Sequence, residues 1–190
     1  MIKVGITGSI ASGKTTAGKF ISQGRGPLFS ADKIVHKLYL NTNFKRYLSK
    51  KLSFKFHSNL EFKDKIKHII FKEKNNLKKL EKIIHPIVRK EMLAFMKKNK
   101  KKNLLFLEIP LLIESKLMKY FDVIIFIRAK RYLRLKRFKS KKGNVKLFSF
   151  LDKHQLKDTK KIKLCDHVVV NNKSLTVLKK NLLNIMNLYA

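Results

Sequence analysis

The run Gly8-Ser9-Ile10-Ala11-Ser12-Gly13-Lys14-Thr15 directly follows the apolar stretch Ile2-Lys3-Val4-Gly5-Ile6 and fits the pattern G-x-x-x-x-G-K-[ST] at every fixed position. Glycines at both ends admit backbone turns closed to residues with a Cβ, so successive N–H groups can converge on a polyphosphate. A helix expected from Lys14 to about Ser22 adds its free N-terminal N–H groups and the positive end of its dipole. Lys14 is then placed for the β- and γ-phosphates, Thr15 for a Mg²⁺ ion held mainly by phosphate oxygens and water, and Thr16 for the α-phosphate end. The other reading of these residues is an ordinary glycine-containing turn from strand to helix. The full match in this context favours a nucleoside triphosphate site.

A phosphate cradle does not say which reaction follows. The carboxylates can, and only twelve Asp and Glu occur in 190 residues. Most sit among lysines on expected helix surfaces, where they are solvated partners. Three fall near the carboxyl ends of expected core strands, the ligand-binding edge of such sheets: Asp32, Glu108 and Glu114. Asp32 suits a group that orients an attacking hydroxyl or accepts its proton, and equally suits an N-cap for a helix starting near Lys33. Glu108, closing Leu105-Phe106-Leu107-Glu108, suits either an acid that holds Mg²⁺ through water or the partner of a nearby cation. Taken by itself, Glu114 reads as a surface helix residue.

The elements that would position these groups alternate. Strand-like runs are Ile2–Ile6, Pro27–Ser30, Leu104–Ile109, Val123–Ile127 and Val168–Val170, separated by helical patterns. That alternation predicts an α/β fold, a doubly wound, five-stranded parallel sheet of the P-loop kinase type. One domain is expected, with core 1–31 and 103–190. From about 32 to 102 no strand interrupts a Lys-rich helical stretch, in which Leu38, Phe44, Leu48, Leu52, Ile66, Ile70, Leu77, Leu80, Ile84, Ile87, Met92 and Phe95 mark the apolar face. It is long for a crossover helix and reads as a substrate-binding insertion, with Pro86 at a helix start or a kink. An irregular segment at about 139–150, between helices near Lys130–Phe138 and Phe150–Leu164, reads as a lid.

The formal net charge is +34, from 39 Lys and seven Arg against those twelve acids. Such a balance ordinarily suggests nucleic acid or an anionic surface. Here the lysines are scattered among Asn, Ile, Phe and Leu, and arginine, the residue of bidentate phosphate recognition, is scarce. A compositional bias toward lysine accounts for the same pattern, and the charge still attracts an anionic substrate. The single cysteine, Cys165, excludes an internal disulfide and suits a reducing compartment. No apolar run has the length of a membrane span and no leader pattern is visible, so a cytoplasmic protein is expected, without a membrane or specific nucleic-acid partner. His36, His57, His68, His154 and His167 show no metal-ligand spacing.

Gly8–Thr15, Ala31-Asp32, Ile84-His85-Pro86-Ile87, Glu108-Ile109-Pro110-Leu111-Leu112-Ile113-Glu114 and Cys165-Asp166-His167-Val168-Val169-Val170-Asn171 together resemble the dephospho-CoA kinase family. The resemblance runs in order from about Ile2 to Asn171. It implies ATP- and Mg²⁺-dependent phosphorylation of the ribose 3′-hydroxyl of dephospho-CoA, the last step of coenzyme A biosynthesis. It implies Asp32 as base or hydroxyl-orienting group, and Lys14, the P-loop, Arg137 and the lid residue Lys141 for ATP. Lys63, His85, Pro110, Leu111 and Glu114 would line the acceptor site; His85 also reads as a helix cap or packed residue. Ser30 stands where the family has Asp, Lys141 where a lid Arg is common, and Lys161 at the usual basic position after Gln155. Asn171-Asn172-Lys173 lacks the family's glycine, and Asn tolerates the left-handed backbone better than most residues. A monomer or weak homo-oligomer is expected. Another P-loop kinase, for nucleosides, nucleotides or sugars, would share the P-loop and an acid near Asp32 but not the Pro-Leu-Leu-x-Glu turn. A nucleic-acid-binding NTPase would use the charge directly.

Overall fold

Strands buried on both faces of a parallel sheet need continuous apolar runs, and the core strands supply them. The computed structural model describes residues 1–72 and 74–189; Glu73, inside the expected insertion, and Ala190 lie outside the described residues. Five strands, β1 (Ile2–Thr7), β2 (Leu28–Ser30), β3 (Leu104–Glu108), β4 (Val123–Arg128) and β5 (His167–Val170), form one parallel sheet in the order β2-β3-β1-β4-β5. β1 is central, with Val4 opposite Phe106 on one side and Val123 on the other. This is the α/β sheet that the strand spacing predicts.

The helices are α1 (Lys14–Ser22), α2 (Ala31–Leu40), α3 (Thr42–Lys51), α4 (Asn59–Lys72), α5 (Lys74–Lys98), α6 (Arg131–Ser140), α7 (Val145–His154), α8 (Asp158–Ile162) and α9 (Leu175–Met186). The chain divides into two compact units, 1–30 with 95–190, and 31–94. In the α/β unit, Ile21 of α1 and Leu178, Leu182 and Met186 of α9 bury their apolar faces with Val4, Ile6, Ile125 and Ile127 of the sheet. Together these form its core.

The helical unit is built around Phe44, Leu48, Phe62, Ile66, Ile70, Leu80, Ile84, Val88 and Met92, all buried. The apolar face expected for this stretch is thus largely inside, although Leu38, Leu52, Leu77, Ile87 and Phe95 are only half-buried. Tyr39, Phe54 and Phe56 pack rings onto Phe62. Burial pushes the Tyr39 phenol up to about 12. Asn41 caps α3 by accepting the Phe44 N–H at 2.9 Å.

Three local expectations change. Pro86 lies inside α5, so His85 is not a helix cap. The stretch expected to be irregular over 139–150 is helical from Val145, because Asn144 caps α7 by accepting the Leu147 N–H at 2.7 Å. The single helix expected near Phe150–Leu164 is two, α7 and α8, broken at extended Gln155. The break serves the site.

Candidate active site

β1 ends at Thr7 and α1 begins at Lys14, so Gly8–Gly13 must reverse the chain in six residues. Two glycines make this possible. Gly8 has φ 149°, and a Cβ there would meet the Ile127 carbonyl oxygen at 2.4 Å. Gly13, the residue before α1, has φ 103°, and a Cβ would sit 2.2 Å from the Asn171 amide nitrogen. Ala11 is also left-handed, at φ 57°. The Ser12 N–H turns back to the Ser9 carbonyl at 3.1 Å. The Lys14 ammonium, buried, donates to the same carbonyl at 2.9 Å. Thr15 is exposed and Thr16 half-buried in the first turn of α1.

Glu108 ends β3 beside β1, where register pairs it with Ile6 on one side and Ser30 on the other. Its side chain is wholly buried, yet both carboxylate oxygens receive hydroxyl protons: Thr15 Oγ1 at 2.5 Å and Ser30 Oγ at 2.8 Å. A buried carboxylate is tolerable only with such donors. Beside the two sequence readings for Glu108, the bonds on its carboxylate are both from hydroxyls. Ser30, where the resemblance has Asp, contributes a donor to Glu108 in place of a second negative charge. Thr15 and Glu108 form an all-oxygen pair, the chemistry a Mg²⁺ ion takes when phosphate and water complete its shell. Among the described residues no group of three or more His, Cys, Asp or Glu can hold a metal alone.

The loop is held from outside by residues of which the sequence reading gave a role only to Arg137. The Ile10 N–H donates to Gln155 Oε1 at 2.9 Å, and Ser9 Oγ to the Asp158 carboxylate. Both acceptors stand at the break between α7 and α8. Asn171 Nδ2 donates to the Ser12 carbonyl at 2.8 Å, joined by Arg137 Nη1 at 3.3 Å, while Arg137 Nη2 donates to the Asn171 carbonyl at 3.0 Å. Arg134, buried, pairs with Asp152 at 2.6 Å and reaches the Ile10 carbonyl at 3.4 Å. No short-range pattern could reveal these residues, since the bonds span 18 to 159 positions of sequence. Neither Asn171 nor Asn172 is left-handed, so the tolerance expected of them is not used.

A cavity of about 420 Å³ abuts this cradle, lined by Arg128, Lys130, Arg131, Arg134, Asp158 and Asn172 among others. Lys141 is exposed just after α6. After β3, the Thr7 hydroxyl donates to the Pro110 carbonyl at 3.1 Å, and Leu111 is half-buried. Glu114 is no free surface residue: Oε1 pairs with the buried Lys161 ammonium at 2.5 Å and accepts the Leu156 N–H at 3.3 Å. One segment, Gln155 to Lys161, therefore ties the P-loop to the Pro110–Glu114 turn. Cys165 donates weakly to the Lys161 carbonyl at 3.2 Å, and burial, reinforced by Asp166, pushes its thiol up to about 11. It is no nucleophile near neutral pH.

The helical unit carries the remaining candidates. Asp32 is exposed in the first turn of α2, two residues after Ser30 along the chain. Lys63 is half-buried on α4. His85 lines a groove of about 510 Å³ on α5 with Lys82, Pro86, Arg89, Lys90 and Leu93. Its pKa lies below the ordinary value, first because burial disfavours the charged ring and second because Arg89 repels it.

Comparison with known proteins places this arrangement. The dephospho-CoA kinase of Bartonella henselae is 30% identical over 186 residues, which is 96% of this chain and 95% of that protein. A Campylobacter jejuni dephospho-CoA kinase structure superposes with a TM-score of 0.67 at 27% identity, covering 97% of this chain and 95% of that one. A Thermus thermophilus structure shares the fold at a TM-score of 0.80 and 24% identity, covering 100% and 98%. The sequence profile of the dephospho-CoA kinase family matches residues 2–176, and with the P-loop on Glu108 and the turn that follows it, the chain belongs to that family.

Proposed function

We infer that the protein transfers the γ-phosphoryl group of ATP to the ribose 3′-hydroxyl of dephospho-CoA, giving CoA and ADP. The observation that carries this is the Thr15–Glu108–Ser30 chain of hydrogen bonds at the carboxyl edge of β1, β3 and β2, with Asp32 two residues beyond Ser30. The N–H groups of the P-loop and the Lys14 ammonium bind the triphosphate, and Lys14 exchanges the Ser9 carbonyl for phosphate oxygens. Arg134, Arg137 and Asn171 hold the loop by its carbonyls, so its donors are already aimed when the anion arrives. The cavity beside it takes the nucleoside.

Mg²⁺, when bound with ATP, offsets charge on the phosphate oxygens; Thr15 and Glu108 would hold it. Asp32 orients the 3′-hydroxyl and accepts its proton as the new P–O bond forms and the bond to the β-phosphate oxygen breaks, leaving ADP. Arg137 stays on the loop carbonyls, and the exposed Lys141 supplies positive charge from just beyond α6. The helical unit, through Lys63 and the His85 groove, together with the Pro110–Glu114 turn, would seat the acceptor. Among the described residues no helix is long and apolar enough to cross a membrane, which agrees with work in the cytoplasm. A coupled ADP-release assay with a panel of acceptors tests the reading. Turnover with dephospho-CoA well above nucleosides and sugars is expected; turnover with nucleosides alone would replace it with another small-molecule kinase.

A further inference from the structure

The net charge leaves most lysines in solvent, but three are buried among the described residues: Lys14, Lys45 and Lys161. An ammonium withdrawn from water needs a counter-charge or strong dipoles in exchange. Lys14 belongs to the P-loop, where a polyphosphate is that anion. Lys161 has Glu114. Lys45, on α3 and only 6% exposed, has no such anion, only neutral partners. Its ammonium donates to Asn59 Oδ1 and lies 5.7 Å from the centre of the Phe56 ring, and no ion pair forms on it among the described residues. Glu61, the first acid after it along the chain, accepts the His57 N–H at 2.6 Å.

Lys45 faces a groove of about 770 Å³ whose other walls include Arg46, Lys55, His57, Phe54 and Phe56, with three hydroxyl side chains and no acid. That volume is in the range of roughly 300–1,000 Å³ typical of small-molecule sites, whereas a nucleic-acid strand needs an extended track. Thr42 lines the groove just past the end of α2, and Asp32 stands in the first turn of the same helix. At 1.5 Å per residue Asp32 and Leu40, the last residue of α2, are about 12 Å apart along the helix, and Thr42 lies beyond Leu40. The groove is thus a place separate from the hydroxyl being phosphorylated.

We propose that this groove is a second ligand site, for a small phosphate ester carrying a flat ring. The phosphate pairs with Lys45, Arg46 and Lys55, which completes the counter-charge that Lys45 lacks, and the ring packs on Phe54 or Phe56. The probe is AMP, titrated into the full-length protein at physiological salt while the backbone amide resonances of residues 42–59 are followed, with adenosine as control. Saturable shifts are expected with AMP, at least tenfold weaker with adenosine. Lys45→Met should weaken AMP at least tenfold, and so should the exposed pair Arg46→Gln with Lys55→Gln, which keeps the test sound if the buried change impairs folding. Lys14→Ala should leave these shifts in place. Absent or non-saturating shifts, equal affinity for adenosine, or indifference to both variants would overturn the site. So would tighter saturation of the same amides by an oligonucleotide, or a tenfold rise in the KM for dephospho-CoA in the double variant.

Discussion

The α/β unit and the helical unit treat buried charge differently. In the first, Glu108 is held by two hydroxyls, Arg134 by Asp152 and Lys161 by Glu114, so the cradle stands ready before any ligand binds. In the second, Lys45 lies against an amide and a ring, and the grooves at Lys45 and His85 present cations without an acid on their walls. The contrast teaches that buried charge is handled by different partners in the two units: ions and hydroxyls in the first, an amide and a ring in the second.

If the P-loop works by preorganised charge, Lys14→Ala should lower turnover by about 10³ and weaken ATP binding with it, measured by steady-state kinetics and nucleotide titration. Loss of turnover with ATP affinity intact would break the view of Lys14 as the ammonium that the cradle keeps for phosphate. Lys161→Met should cost about 3 kcal/mol in urea unfolding, because it strands Glu114. Adding Glu114→Gln should restore most of that, and an additive double variant would deny the pairing. Asp32→Asn should slow phosphoryl transfer by about 10² while ATP affinity holds; loss of both together would make Asp32 a structural residue of the first turn of α2, which begins one residue before it.

Cys165 sharpens the picture of the α/β unit as closed and charge-matched. With its thiol near 11 rather than the ordinary 9, alkylation by iodoacetamide at pH 8 should be at least about tenfold slower than in the urea-unfolded chain. The smallest effect belongs to His85. Its folded pKa lies below its unfolded value, so the unfolded chain binds the proton more readily and stability falls as pH drops below about 6.5. Urea midpoints at pH 7 and pH 5 should differ less in His85→Gln than in the parent.

Much of the donor half was legible from order alone. Gly8–Thr15 between an apolar strand and a helix specifies a phosphate cradle because spacing, glycine freedom and helix polarity are local properties. All five strands were legible for a similar reason, as continuous apolar runs. Less legible were the places where a side chain decides a boundary: Asn144 starting α7 inside the expected irregular stretch, and extended Gln155 splitting one expected helix in two. Glu108 could be singled out by its place at a strand end, but its partners could not.

By itself, the sequence determined the sheet, the P-loop and, through its resemblance, the family to which the chain belongs. Tertiary structure alone decided what grips the loop: Gln155, Asp158 and Asn171 lie more than a hundred residues beyond the groups they bind. It also decided that Ser30 and Thr15 share one buried carboxylate, and that Lys45 is withdrawn from water against an amide and a ring. The reason is physical. Local conformation follows from neighbours in the chain, whereas the worth of a charge depends on what surrounds it in space, and folding alone brings those surroundings together.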